Sequence, residues 1–149
     1  MTDLKIYDPK QKMSPDEKDS IVNFLHTHLE KFRDSKEDIR KAIDYSLKEY
    51  TSFGGFVITS SHEGELTGAV VVNQTGMEGY IPENILVYIA THSKYRGKGI
   101  GKRLMQEAIN LSVGNIALHV EPDNPAKYLY EKIGFTNKYL EMRLINQKK

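Results

Sequence analysis

Two hydrophobic periods alternate along this chain. Leu4 to Tyr7 alternates apolar and polar residues, which predicts a short first strand. Ser14, Pro15 and Glu17 then read as a helix start, with a capping serine, a proline at the first helical position and the glutamate of a capping box. Ile21, Phe24, Leu25, His28, Leu29 and Phe32 follow at helical spacing and make one apolar stripe. A second helix is predicted from Ser35, with Ile39, Ala42, Ile43, Leu47 and Tyr50 facing inward and Phe53-Gly54-Gly55 ending it.

The period then changes. Phe56–Ser60 and Leu66–Gln74 are rich in β-branched residues and flank a turn at His62-Glu63-Gly64-Glu65, as an antiparallel hairpin does. Gly76 to Pro82 is a loop, and Asn84–Thr91 is the most hydrophobic strand of the chain. Its core, Ile85 to Ala90, reads as buried on both faces. A helix is predicted from about Gly99 to Val113, with Ile100, Leu104, Ala108 and Leu111 inward and Gly114 closing it. Ile116–Val120 is a further strand, Asn124-Pro125 opens a short helix ending at Gly134, and Phe135 to Leu144 offers one or two last strands. The expected fold is α/β (α+β) in the order β-α-α-β-β-β-α-β-α-β: a mixed, mostly antiparallel sheet flanked by helices. One domain over residues 1–149 is expected, since no linker divides the chain.

Composition narrows the classes. With 149 residues, 39% hydrophobic and 28% charged, the chain suits one globular domain and not a disordered tail. It has no cysteine, which excludes disulfides, thiolate metal sites and a cysteine nucleophile. No targeting segment is expected, because Met1 to Lys5 carries charges where a signal peptide needs apolar residues. The six-residue run Ile85 to Ala90 is too short for a membrane helix. A cytoplasmic address, no membrane partner and a monomer or homodimer are the expectations. A net charge of +1 gives no footprint for nucleic acid.

Local charge says more than the total. Arg96-Gly97-Lys98-Gly99-Ile100-Gly101-Lys102-Arg103 follows a strand and opens a helix. Alternate glycines let a ligand reach the backbone, and the first helical N–H groups lack internal partners. With the positive end of the helix dipole and four flanking cations, this is a receptor for a diphosphate. A Rossmann fingerprint would need glycine where Lys102 stands, and a P-loop would need a hydroxyl where Arg103 stands.

Arg96-x-x-Gly99-x-Gly101 resembles the acyl-CoA signature of the GNAT N-acetyltransferase superfamily. Ile89 to Tyr95 is similar to that family's fourth strand and following turn, with Ser93 where proline is common. Asp123 to Phe135 resembles its N-x-x-A-x-x-L-Y-x-x-x-G-F segment, with Asp123 in the asparagine position and Asn124 one residue late. The resemblance spans roughly Asn84 to Phe135. It implies acetyl-CoA as co-substrate, without a metal, bound where the fourth and fifth strands splay apart. Backbone of Ile89, Ala90 and Thr91 would pair with its pantetheine. Arg96, Gly97, Lys98, Gly99, Ile100, Gly101 and Lys102, with Asn124 and Tyr130, complete the expected cofactor contacts.

Transfer to a primary amine by direct attack would then need an acid and a base. The resemblance makes Tyr130 the acid. For the base, Glu83, His119, Glu121 and water stay open, His119 and Glu121 by alternation on one face of the fifth strand. The acceptor, an amine-bearing small molecule or peptide, is not legible in the mixed charges of the first two helices. The rival readings are a non-catalytic acyl-CoA-binding or regulatory module and a nucleotide-binding protein.

Overall fold

A computed structural model describes residues 3–148, which group into two compact units divided between Leu118 and His119. The first unit holds β1 (Asp3–Tyr7), α1 (Pro15–His28), α2 (Lys36–Leu47), β2 (Gly55–His62), β3 (Glu65–Gln74), β4 (Asn84–Thr91), α3 (Ile100–Leu111) and β5 (Ile116–Leu118). The second holds α4 (Ala126–Ile133). In the sheet the strands lie in chain order, β1-β2-β3-β4-β5, antiparallel throughout except for the parallel β4–β5 pair.

The helix starts follow the sequence signals. Ser14 Oγ accepts the Glu17 N–H at 3.1 Å while Glu17 returns a bond to the Ser14 N–H at 2.8 Å. That reciprocal cap is worth about 1 kcal/mol. Ser35 caps α2 with a single bond, its Oγ accepting the Asp38 N–H at 3.1 Å. The end of α2 differs from expectation: it stops at Leu47, with Lys48 left-handed at φ 56°, and not at Phe53-Gly54-Gly55. The Lys48 and Glu49 N–H groups close the helix on Tyr45 and Asp44 carbonyls. Tyr50, expected inside, is exposed and donates its hydroxyl to the Lys41 carbonyl.

Two apolar layers sandwich the sheet. Ile21 and Leu25 of α1, with Ile39, Ile43 and Leu47 of α2, pack on Val57, Ala69, Val71, Tyr88 and Ala90. Each such buried aliphatic side chain contributes about 1.5–3 kcal/mol. On the opposite face Ile100 and Leu104 of α3 close over Gly68. A Cβ there would meet Leu104 at 2.7 Å, Ser60 Oγ at 2.8 Å and Ile100 at 2.9 Å. The helix α3 is shorter than predicted, ending at Leu111, which is exposed.

The strand β4 is not buried on both faces. Its exposure alternates, with Asn84, Leu86, Tyr88 and Ala90 buried. A bulge explains the reading: Val72 pairs with Leu86 but Val71 pairs with Tyr88, so Val87 is extra. Val87 and Tyr88 consequently both pack in the layer under α1 and α2. An apolar run crossing a bulge mimics a doubly buried strand.

Two strand expectations fail. The fifth strand ends at Leu118, not Val120, so His119 and Glu121 are not ordered on one strand face. No strand forms over Phe135 to Leu144. A strand needs a hydrogen-bonded partner, and among its described residues the second unit contains none. There Tyr139, Leu140, Met142 and Leu144 are 79–90% exposed. The unit's order lies in α4. Asn124 Oδ1 accepts the Ala126 N–H at 2.9 Å, and Gly134 ends the helix at φ 126°.

Candidate active site

The strand β4 runs into a 3₁₀ turn, Ser93–Tyr95, then the glycine loop, then α3. Gly97 and Gly99 have φ of 80° and 82°, in the left-handed region that other residues enter at a cost of roughly 1–2 kcal/mol. A Cβ at either position would meet nothing within 4 Å. Backbone conformation and open approach thus call for glycine here, with no internal packing involved. Gly99 is the N-cap of α3 and has no side chain to satisfy the helix's first N–H groups. No acidic residue occupies the first turn, and exposed Lys98 and Lys102 flank it.

Arg96 is exposed, and its side chain reaches back from the loop along the surface. Its guanidinium donates to the Thr91 carbonyl (3.3 Å) and the His28 carbonyl (2.9 Å), and pairs with Glu30 at 2.6 Å. The residue that heads the motif therefore braces the loop against the end of α1 and the end of β4.

Alongside, β4 offers an edge. Pairing with β5 covers Asn84, Ile85 and Leu86 only, and among the described residues no strand continues it past Leu86. Ile89, Ala90 and Thr91 lie on this stretch and remain paired with β3 on the other side. The bulge and the end of β4–β5 pairing coincide at Leu86–Val87.

The catalytic candidates fall in both units, Glu83 in the first and His119, Glu121 and Tyr130 in the second. Glu83 stands just before β4, roughly 25 Å of extended chain from Thr91. Its carboxylate accepts the Asn115 N–H at 2.7 Å and the Gly79 N–H at 2.9 Å, bonds that hold its pKa below the usual carboxylate value. A carboxylate so engaged is a weaker base. His119 and Glu121 are exposed in irregular chain of the second unit. Tyr130, in α4, is 8% exposed, packs edge-on against Phe135, and burial pushes its pKa up to about 12. Its hydroxyl stays protonated at neutral pH. The Asn124 side chain is engaged in capping α4.

Sequence reasoning missed two contacts. Tyr88 donates to Asp34 at 2.6 Å, and burial with that carboxylate raises its pKa. The rings of His28 and His92 stack with centroids 4.2 Å apart. No local signal joins residues so far apart in the chain.

Among the described residues no helix is long and apolar enough to cross a membrane. Comparison with known proteins agrees with the strand–loop–helix geometry. A 5-NmdU N-acetyltransferase of Pseudomonas phage PaMx11 is 27% identical over 84 residues, 55% of this chain and 58% of that protein. The chain thus spans little more than half of this curated relative. A GNAT-family acetyltransferase from Streptococcus pneumoniae TIGR4 superposes with TM-score 0.69 at 16% identity, over 99% of each chain. An aminoglycoside N-acetyltransferase solved in complex with CoA gives 0.70 at 11% identity, over 99% of this chain and 95% of that one. These two establish a shared fold. Residues 53–137 match the acetyltransferase (GNAT) domain family, more than half of the chain, and the protein belongs to that family.

Proposed function

We propose that this protein transfers an acetyl group from acetyl-CoA to a primary amine by direct attack in a ternary complex. The observation that carries this reading is the coincidence at Leu86–Val87. There a bulge turns β4 and its pairing with β5 ends, leaving an edge that leads within eight residues from Thr91 to the α3 start at Gly99. An extended pantetheine fits such an edge as an added strand, pairing with backbone of Ile89, Ala90 and Thr91. The pyrophosphate fits the N–H groups from Gly97 to Lys102, with Lys98 and Lys102 supplying charge.

Acetyl-CoA supplies an activated carbonyl. A backbone N–H of Ile89 to Thr91 is suited to donate to the oxygen on which charge develops. The amine nitrogen bonds to the acetyl carbon and gives up its second proton to solvent as the carbon–sulfur bond breaks, and the sulfur leaves as thiolate. An ammonium of pKa about 10.4 must first lose its proton, to water, His119 or Glu121. Glu83 suits this role least, given its two backbone bonds. Tyr130 takes the acid's role from its motif position. A hydroxyl near pKa 12 is a weaker acid than a thiol of about 8.5, so it hydrogen-bonds the departing sulfur and solvent completes the protonation.

The test is release of free thiol from acetyl-CoA against amines, amino acids, aminoglycosides, peptides and 5-NmdU, the compound in the phage relative's name. Amine-dependent release is expected, and Tyr130→Phe should lower kcat by less than the roughly 10²–10⁴-fold of full general acid catalysis, because solvent completes the protonation. CoA binding without release for any acceptor would instead establish a non-catalytic acyl-CoA module.

A further inference from the structure

We propose that His28 and His92 are positioning residues for the glycine loop, acting as a neutral stacked pair that holds the turn before it. This rests on the acetyl-CoA reading above, because the loop is that reading's anion receptor. His28 is the last residue of α1 and His92 the first after β4. Their rings stack at 4.2 Å with 35° between planes, Phe24 lies 4.6 Å from His28, and Tyr95 stands edge-on to His92 at 5.5 Å.

Both rings use Nδ1 as an acceptor. His28 Nδ1 takes the Ser93 N–H at 3.3 Å, and His92 Nδ1 takes the Lys94 N–H at 3.1 Å. Only an unprotonated ring nitrogen accepts, so both contacts require an Nδ1 that carries no proton. Their own backbones continue the same construction. The His92 N–H donates to the Thr67 carbonyl, the Tyr95 N–H closes on the His92 carbonyl, and the His28 carbonyl receives Arg96. His28 thus holds the loop's approach twice, by its ring and by its carbonyl.

Charges around the pair come from every neighbouring element. Arg96 and the second histidine disfavour a cation at His28, while Glu30 and Glu65 favour one. Lys94 is in the turn itself, Lys98 sits over the Tyr95 ring, His62 packs on that ring, and the Tyr95 hydroxyl donates to Glu65. The balance, led by burial, holds the pKa of His28 below its ordinary value.

Protonating either ring replaces an accepted N–H with two opposed donors and sets a cation beside its stacked partner. The ordered turn therefore carries fewer protons than the loosened one, and anion affinity at the loop rises with pH. The window opens at the ordinary histidine value of about 6.5 and runs downward through the depressed value of His28.

The experiment measures the CoA dissociation constant calorimetrically from about pH 5 to about pH 7.5, spanning the histidine range. The parent is compared with the double variant His28→Asn, His92→Asn, whose amide oxygens accept the same N–H groups without titrating. The parent should lose affinity on acidification more steeply than the variant, by up to about tenfold per pH unit for each linked proton. The variant's remaining slope belongs to the phosphates of CoA. Parallel slopes would overturn the proposal. Nitrogen NMR of the unliganded parent supplies a second readout that needs no variant. Both Nδ1 atoms should be unprotonated near neutral pH, and the Gly97 and Gly99 amide signals should follow the histidine titration. A protonated Nδ1, or glycine signals indifferent to the titration, would also overturn it. Absence of CoA binding at any pH, with the glycine signals still titrating, would refute the acetyl-transfer reading and leave the pair intact.

Discussion

The two ends of β4 are built in opposite ways. At its N-terminal end, polar groups are satisfied within the protein. The Asn84 side chain, 2% exposed, donates to the Val113 carbonyl at 2.9 Å and the Asn115 carbonyl at 3.3 Å. Its backbone N–H also donates to Asn115, and Glu83 ties Gly79 to Asn115. A cavity of about 400 Å³, lined by Met77, Glu83, Asn84 and Val113 among others, opens beside this end. At the C-terminal end, β4 has an edge that no strand continues among the described residues, and it runs into a helix start capped by a bare glycine. This hollow lies at the end whose hydrogen bonds are already made, whereas the proposed cofactor site lies at the end with unspent donors.

Three substitutions sharpen this contrast, in falling order of expected effect. Gly99→Val should remove CoA binding, because a branched side chain at φ 82° distorts the turn and stands in the open approach. In thermal shift the parent should gain about 2.7 kcal/mol from CoA at a hundredfold excess over its dissociation constant, and the variant none. A variant that keeps the gain would place the anion elsewhere.

Asn84→Ala attacks the satisfied end. It removes a buried donor to two carbonyls and should cost about 1–3 kcal/mol, read as a lower urea midpoint with unchanged slope. CoA affinity of the folded variant should match the parent's. A loss of affinity would mean that the two ends are coupled.

Glu83→Gln is the mildest. Its carboxylate pKa is depressed in the fold, so its stabilising bonds are fully present above the ordinary carboxylate value of about 4.3 and fade as pH falls through the folded value. The variant should melt slightly below the parent at neutral pH, and the gap should close in acid. A constant gap from neutral to acid pH would show that charge is not what Glu83 contributes.

The sequence made the helix starts legible because their chemistry is local. Ser14 and Glu17 are three residues apart and bond reciprocally, and the glycine loop is one continuous stretch. Endings were harder. Lys48 takes a left-handed conformation that lysine seldom signals, whereas the glycines at 54 and 55 are the visible stop in the sequence. The bulge at Val87 leaves no mark in an apolar run. The apolar alternation of Leu140, Met142 and Leu144 describes a strand only where a neighbour supplies hydrogen bonds. Within the candidate site, the loop could be read but its supports could not. Arg96 reaches back to His28, and His28 to Ser93, across more than sixty residues.

Gly68 has a consequence of another kind. Its backbone pairs with Ser60 of β2 and Thr91 of β4 as any residue of the strand would; what glycine itself contributes is the lack of one carbon. With Leu104, Ser60 and Ile100 all under 3 Å from where that carbon would be, the first turn of α3 can lie no closer to β3 than a bare backbone permits. The standing height of the helix start above the sheet is therefore set thirty-two positions upstream of Ile100, by sheer thickness. A methyl group there would act as a shim, lifting a helix start whose own residues had not changed.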